Sequence, residues 1–310
     1  MGRREQSRFD AVDGLLLLNK PAGLTSNQAL QKVKRLLNAR KAGHTGSLDP
    51  AATGMLPLCF GEATKVCAFL LDADKTYRVT AKLGIATDTG DADGDETESA
   101  DVPERTREEW VAILNSFLGD SMQVPPMYSA LKQDGTRLYE LARKGEIVER
   151  EPRPIHLQAI SLLEIAGTRL VFRVHCSKGT YVRTLVEDIA RKAGTVAHTA
   201  RLHRESVADF QPDDMLELSG IEAAAEGDLA TLRASLLPVD TALESLSAVQ
   251  LDADSGYRFS SGQVITGRQE TTCGLVRVYG EEKVFLGVGE LDKTGQLAPR
   301  RVFHTGEKNS

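Results

Sequence analysis

The chain has 310 residues, 41% of them hydrophobic, and a formal net charge of −6, which predicts a large globular domain with a smaller one beside it. A membrane protein is excluded on expectation: the run Leu15–Leu18 is far short of the roughly 20 apolar residues that a spanning helix needs, and the arginine-bearing N-terminus leads into no hydrophobic leader. The negative total does not exclude a nucleic-acid partner, because residues 1–50 hold 9 basic against 4 acidic groups and 151–200 hold 7 against 4, while 201–250 hold 3 against 10.

Thr25 followed by Gln28 forms a capping-box pattern, and Leu30, Val33, Leu36 and Leu37 recur on one helical face, so a helix is predicted from Ser26 to Arg40. Lys32, Lys34 and Arg35 fall off that apolar stripe. The helix runs into Gly43-His44-Thr45-Gly46-Ser47-Leu48-Asp49-Pro50, whose glycines and proline require a loop. Tyr77, Val79, Ala81 and Leu83 alternate with polar residues as a half-buried strand does, and Leu170, Phe172, Val174 and Cys176 repeat that pattern. Beyond Gly179, the spacing of Val182, Leu185, Val186 and Ile189 predicts a helix up to Gly194, with Tyr181 and Arg183 at its entry.

Asp213–Leu246 reads as acidic helices leading out of the large domain. From Val249 onward, short alternating runs at Leu275–Tyr279 and Lys283–Val288, punctuated by Gly280 and Gly289, predict a small β-rich domain. The reading is therefore α+β, with domains at 1–248 and 249–310 and no internal repeat.

The sequence contains neither a phosphate-binding loop of the Gly-x-x-x-x-Gly-Lys-Ser/Thr type nor a Gly-x-Ser-x-Gly nucleophile elbow. Asp91, Asp93 and Asp95 resemble the start of a calcium loop, yet Glu96 and Val102 stand where that loop needs Gly and a bidentate Glu. Histidines and cysteines never take zinc-site spacing, so no metal is expected. Cys59, Cys67, Cys176 and Cys273 lie in apolar surroundings without framework spacing, which predicts buried free thiols and a cytoplasmic location.

Asp49 alone reads as a turn residue. Its neighbourhood, His44-Thr45-Gly46-Ser47-Leu48-Asp49-Pro50-Ala51-Ala52-Thr53-Gly54-Met55-Leu56, resembles almost position by position the catalytic motif of the TruB family of pseudouridine synthases. Asn19-Lys20-Pro21-Ala22-Gly23, Lys75-Thr76-Tyr77-Arg78, Thr87 to Gly94, Val124 to Lys132 and Cys176 to Arg183 extend the resemblance in order along the chain. The tail from Gly262 to Phe303 resembles the small RNA-binding PUA domain of the bacterial enzymes.

The resemblance implies a catalytic domain on a mixed, mainly antiparallel sheet that isomerises uridine 55 in the T loop of tRNA. No cofactor, metal, membrane or obligatory protein partner is implied. Asp49 is then the catalytic carboxylate, acting either as a nucleophile toward sugar or base or as a base on a sugar proton. Arg183 is its guanidinium partner, holding it ionised. Tyr77 stacks on the flipped base and accepts the proton from C5. Tyr181 and Leu202 line the base pocket, and Asp91 contacts the base or orients the site. His44 fills the space of the displaced base, Lys20 buttresses Tyr77, and Lys132 belongs to a mobile thumb, residues 124–153, that clamps the RNA. A noncatalytic RNA-binding scaffold and a metal-assisted hydrolase are the alternatives; an intact set of Asp49, Tyr77 and Arg183 speaks against the first.

Overall fold

The computed structural model describes residues 9–267 and 273–303. The four consecutive leucines near the N-terminus form β1 (Gly14–Lys20), a strand covered on both faces. Such a run cannot alternate between core and water, so it demands two apolar partners. Leu16 and Leu18 meet Leu30 and Val33 of α1 (Ser26–Leu36), while Leu15 and Leu17 meet Met55, Cys59 and Val66 on the other side.

β1 belongs to a nine-stranded sheet with β2 (Ala42–His44), β3 (Thr53–Phe60) and β4 (Lys75–Leu83). From one edge the order is Leu216–Glu217, β1, β3, Ala197–Val207, β4, Arg169–Cys176, Arg153–Ala166 and Gly119–Gln123, with β2 paired to β3. Two pairings are parallel, β1 with Leu216–Glu217 and β3 with Ala197–Val207, and the rest are antiparallel. The sheet is thus mixed and mainly antiparallel, as expected.

The capping box of α1 forms, with the Thr25 side chain accepting from the Gln28 backbone and the Gln28 side chain accepting from Thr25. The helix stops at Leu36 rather than Arg40, because Asn38 takes a left-handed conformation (φ 50°) that this residue type tolerates. The helix Val182–Ala193 matches its expectation and closes on Gly194 at φ 83°.

The acidic segment departs from its reading. Instead of leading away, Leu218, Ile221 and Leu232 from the helices Leu218–Gly227 and Leu229–Ala234 pack back against Leu16, Leu18 and Leu30. Glu222 forms an ion pair with Lys32 of α1. One acid of residues 201–250 thus neutralises a lysine of the basic N-terminal block.

A second sheet orders Ser247–Gln250, Gly274–Tyr279, Phe285–Leu291 and Leu297–Val302 around Val249, Phe259, Val276 and Val278. The third strand starts later than expected and runs through Gly287 and Gly289. At Gly287 a Cβ would lie 2.1 Å from the Arg301 carbonyl oxygen, so that glycine permits close strand approach, and at Gly289, where a break was expected, the strand continues. Phe285, Val288 and Phe303 join Leu15, Leu17 and Met55 in one cluster, which welds this sheet to the large one. Cys59 and Cys176 are buried, but Cys67 is half-buried and Cys273 is exposed, contrary to the expectation of four buried thiols.

Candidate active site

Between β2 and β3 the chain makes a loop, residues 45–52, that carries Asp49 at the C-terminal side of a fixed frame. Ser26, the first residue of α1, grips its centre: the Ser26 hydroxyl accepts from Leu48 N at 2.7 Å and donates to Leu48 O at 3.1 Å. Lys20 lies wholly buried beneath, its ammonium donating to Pro21 O, Leu24 O and Pro50 O at 2.9, 2.7 and 3.2 Å. Burial pulls the Lys20 pKa down to about 8, with Asp49 opposing. The backbone of Ala52 donates to Asp49 O at 3.1 Å and closes the turn.

Arg183 enters from the start of the helix Val182–Ala193 and is 6% exposed. Its Nε stands 3.1 Å from Asp49 Oδ2 and its Nη1 3.5 Å from Asp91 Oδ2. Nη1 also donates to Thr89 O at 2.7 Å and Nη2 to Tyr128 O at 2.6 Å. One guanidinium thus ties the loop that bears Asp49, the acidic turn and the base of the 124–153 segment, a geometry that a lysine cannot reproduce.

The carboxyl of Asp49 nevertheless sits above its ordinary pKa: burial pushes it up, Arg183 pulls it down, and Asp91 pushes it up again. Arg183 was expected to leave a lowered pKa, and desolvation outweighs it. The side chain is still 45% exposed because it faces an open cleft, so covering by substrate deepens the desolvation.

That cleft is a cavity of about 340 Å³ lined by Asp49, Tyr77, Tyr181, Arg183 and Leu202 among others. The central strands place the last members: Tyr77 and Val79 of β4 stand opposite Arg204 and Leu202 of Ala197–Val207, so these side chains share one face of the sheet. Burial raises the Tyr77 phenol, with Arg204 the main influence against it. Tyr181, also raised by burial, is fixed through its backbone, which exchanges two hydrogen bonds with the Gln123 side chain at 2.7 and 3.1 Å.

The remaining expected residues stand apart from this cavity. Asp91 lines a smaller adjoining hollow with Asp49, Arg183 and Leu202. His44 is half-buried in β2 opposite Leu58; its Nδ1 is buried without a protein partner, and burial, then Arg204, lowers its pKa. Lys20 does not line the cavity; its ammonium clamps Pro50 O beneath the loop. Lys132 is exposed on a short hairpin with Arg137. Tyr128 and Ser129, at the base of the 124–153 segment, line the cavity.

Two residues that organise the site escaped sequence reasoning. Ser26 was hidden as a routine first residue of a helix. Arg204 carries no signal apart from the strand Ala197–Val207; two positions beyond Leu202, period-two alternation assigns it to the cavity face.

Carboxylates of the acidic turn are engaged locally: Asp91 Oδ1 accepts from the Thr89 hydroxyl at 2.6 Å and Asp93 N at 3.1 Å, and Asp88 Oδ1 accepts from Asp95 N at 3.0 Å. Among the described residues, no group of three or more His, Cys, Asp or Glu side chains is placed to hold a metal ion. Likewise, no helix among them is long and apolar enough to cross a membrane.

The architecture is that of the pseudouridine synthases: a chain of the crystal structure of a Cbf5–Nop10–Gar1 complex matches it at TM-score 0.74 and 26% identity, over 95% of this chain and 86% of that one. The family is narrower. Residues 34–182 match the TruB family pseudouridylate synthase N-terminal domain, 183–244 the tRNA pseudouridylate synthase B C-terminal domain, and 247–303 the pseudouridine synthase II TruB C-terminal domain. The tRNA pseudouridine synthase B of Stutzerimonas stutzeri is 49% identical over 95% of this chain and 96% of its own length. That of Nitrosococcus oceani is 48% identical over 97% and 98%. The chain belongs to the TruB family of pseudouridylate synthases and is an enzyme.

Proposed function

We propose that this enzyme converts uridine 55 in the T loop of tRNA to pseudouridine, acting in the cytoplasm without an obligatory protein partner. The observation that carries the reading is the Asp49–Arg183 pair at 3.1 Å, opening onto the same cavity as Tyr77. Relatives nearly half identical over the whole chain are named for tRNA, which supports the substrate class.

A uridine inside a folded loop must leave its stack before its glycosidic bond can be reached, at a cost of a few kcal/mol. The Tyr77 ring offers a stacking surface worth about 1–3 kcal/mol. His44, its imidazole neutral because burial depresses its pKa, takes the space left in the loop. Tyr181 and Leu202 close around the base, and Asp91 holds Arg183 in register. The 124–153 segment, with Lys132, closes on the stem. The β-rich residues from about 249 add an RNA-binding surface beyond the catalytic residues 1–248.

Asp49, ionised and held by Arg183, promotes cleavage of the N1–C1′ bond, either by adding to sugar or base or by removing a sugar proton. The freed uracil turns within the cavity and rejoins C1′ through C5. Tyr77 then takes the C5 proton, and the electron pair returns to the C5–C6 double bond. The change is an isomerisation, so its atoms balance without oxidant, reductant or leaving group. Incubation with unmodified tRNA bearing tritium at C5 of its uridines should release label, and sequencing of the product should find pseudouridine at position 55. Release with the modification elsewhere would overturn the positional assignment, and no release would overturn the activity.

A further inference from the structure

We propose that Arg204 is a positioning residue for this isomerisation, holding the Tyr77 hydroxyl oxygen so that it can receive the C5 proton. Tyr77 is the C5 proton acceptor in the reading above, on which this inference rests.

Arg204 is 1% exposed, and among the described residues no carboxylate forms an ion pair with it. A guanidinium taken out of water without an anion carries a large desolvation cost, so its retention calls for compensating contacts. It has two to backbone carbonyls: Nε donates to Met55 O at 2.7 Å and Nη2 to Gly46 O at 3.1 Å, the two flanks of the loop that bears Asp49. On the other side of its strand it pairs in register with Tyr77, and both side chains line the cavity. One cation is thereby bonded to the flanks of the carboxylate loop and stands opposite the residue that bears the phenol.

Backbone fit makes the arrangement stringent. Arg204 also pairs with Gly54 of β3, where φ is 103° and a Cβ would lie 2.2 Å from the Arg204 carbonyl oxygen. The strand carrying Arg204 can approach the loop so closely only because that side chain is missing.

The chemistry gives the charge a use. When the C5–H bond breaks, its electron pair goes to the ring and its proton to the Tyr77 oxygen, which must therefore carry negative charge beforehand and becomes a phenol afterward. That proton passes to water before the next turnover. Burial opposes the phenolate, and Arg204 is the largest influence in its favour. Because the guanidinium is anchored to the backbone of the loop, it acts on the proton step through Tyr77.

The test compares Arg204→Gln, Arg204→Lys and Tyr77→Phe on tRNA transcripts carrying hydrogen or deuterium at C5 of uridine. Arg204→Gln is expected to lower kcat by about tenfold to a thousandfold, within the range of general-base contributions, with KM changed by less than about threefold. Its C5 isotope effect should exceed that of the unaltered enzyme, and Arg204→Lys should recover part of both. Loss of rate with an unchanged isotope effect, or a rise confined to KM, would overturn the proposal and leave Arg204 a loop clamp. If thermal unfolding shows that Arg204→Gln does not fold, Arg204→Lys carries the same test through its isotope effect. Tyr77→Phe separates the levels: undiminished C5 release by that variant refutes Tyr77 as the acceptor itself, whereas a defective Tyr77→Phe beside an unaffected Arg204→Gln refutes only the role of Arg204.

Discussion

Replacing Arg183 with glutamine removes the charge that holds Asp49 while leaving a polar side chain in its place. At the observed 3.1 Å separation, two unit charges in an effective dielectric of about 20 interact by roughly 5 kcal/mol, which is a ceiling. Asp49 is 45% exposed, so solvent screening reduces the value, and about 3 kcal/mol is a fair net loss. If that loss falls on the transition state, kcat drops roughly a hundredfold.

The pH dependence gives a second readout. Burial already raises the Asp49 pKa, and Arg183 is the largest influence lowering it. Without Arg183 the pKa climbs further. With Asp49 acting as the carboxylate, as proposed, activity is present above that pKa and lost as pH falls through it; the acid limb of kcat/KM should move to higher pH in Arg183→Gln. Steady-state kinetics on a T-arm transcript between acid and neutral pH measures both effects. A kcat within about threefold of the unaltered enzyme, or an acid limb that stays put, refutes the assignment of Arg183 as the partner of Asp49.

Asp91→Asn should move the same limb to lower pH, because Asp91 raises the Asp49 pKa, and a shift in the same direction as Arg183→Gln would contradict the electrostatic account. Gly54→Ala combines a φ of 103° with a 2.2 Å clash against Arg204 O, and should cost about 2 kcal/mol or more, read as a lowered midpoint of thermal unfolding. Lys20→Met severs three carbonyl contacts beneath the loop without touching the cavity, so kcat should fall about tenfold with KM for RNA unchanged. The folded Lys20 titrates near 8 against an ordinary 10.5, so the unfolded chain binds more protons between these values and stability from this group rises with pH there; Lys20→Met should flatten that rise in denaturant titrations.

Local signals were legible where one residue's chemistry decides one feature. The Thr25–Gln28 box, the alternation in β4 and the left-handed Gly194 each act within a few residues of themselves. Features set by distant partners were not legible. The leucines of β1 say only that both faces need cover, and the cover comes from α1 on one side and reaches Phe285 on the other. Lys20 carries a charge usually left at the surface, and only the fold brings the carbonyl of Pro50 beside those of Pro21 and Leu24 to hold it. The upward pKa of Asp49 depends on how much water the cleft excludes, a property of the assembled walls rather than of the motif. Arg183 could be paired with Asp49 from the family resemblance, but its grip on Thr89 O and Tyr128 O runs through backbone atoms that carry no residue signature.

The central claim is that the Asp49 carboxylate performs the isomerisation. Its most direct test is a single-turnover experiment with Asp49→Asn and tRNA labelled with tritium at C5, run beside a binding titration with the same RNA. Binding within about threefold of the unaltered enzyme is expected, with no label released above background. Tritium release by Asp49→Asn at a measurable rate would contradict it.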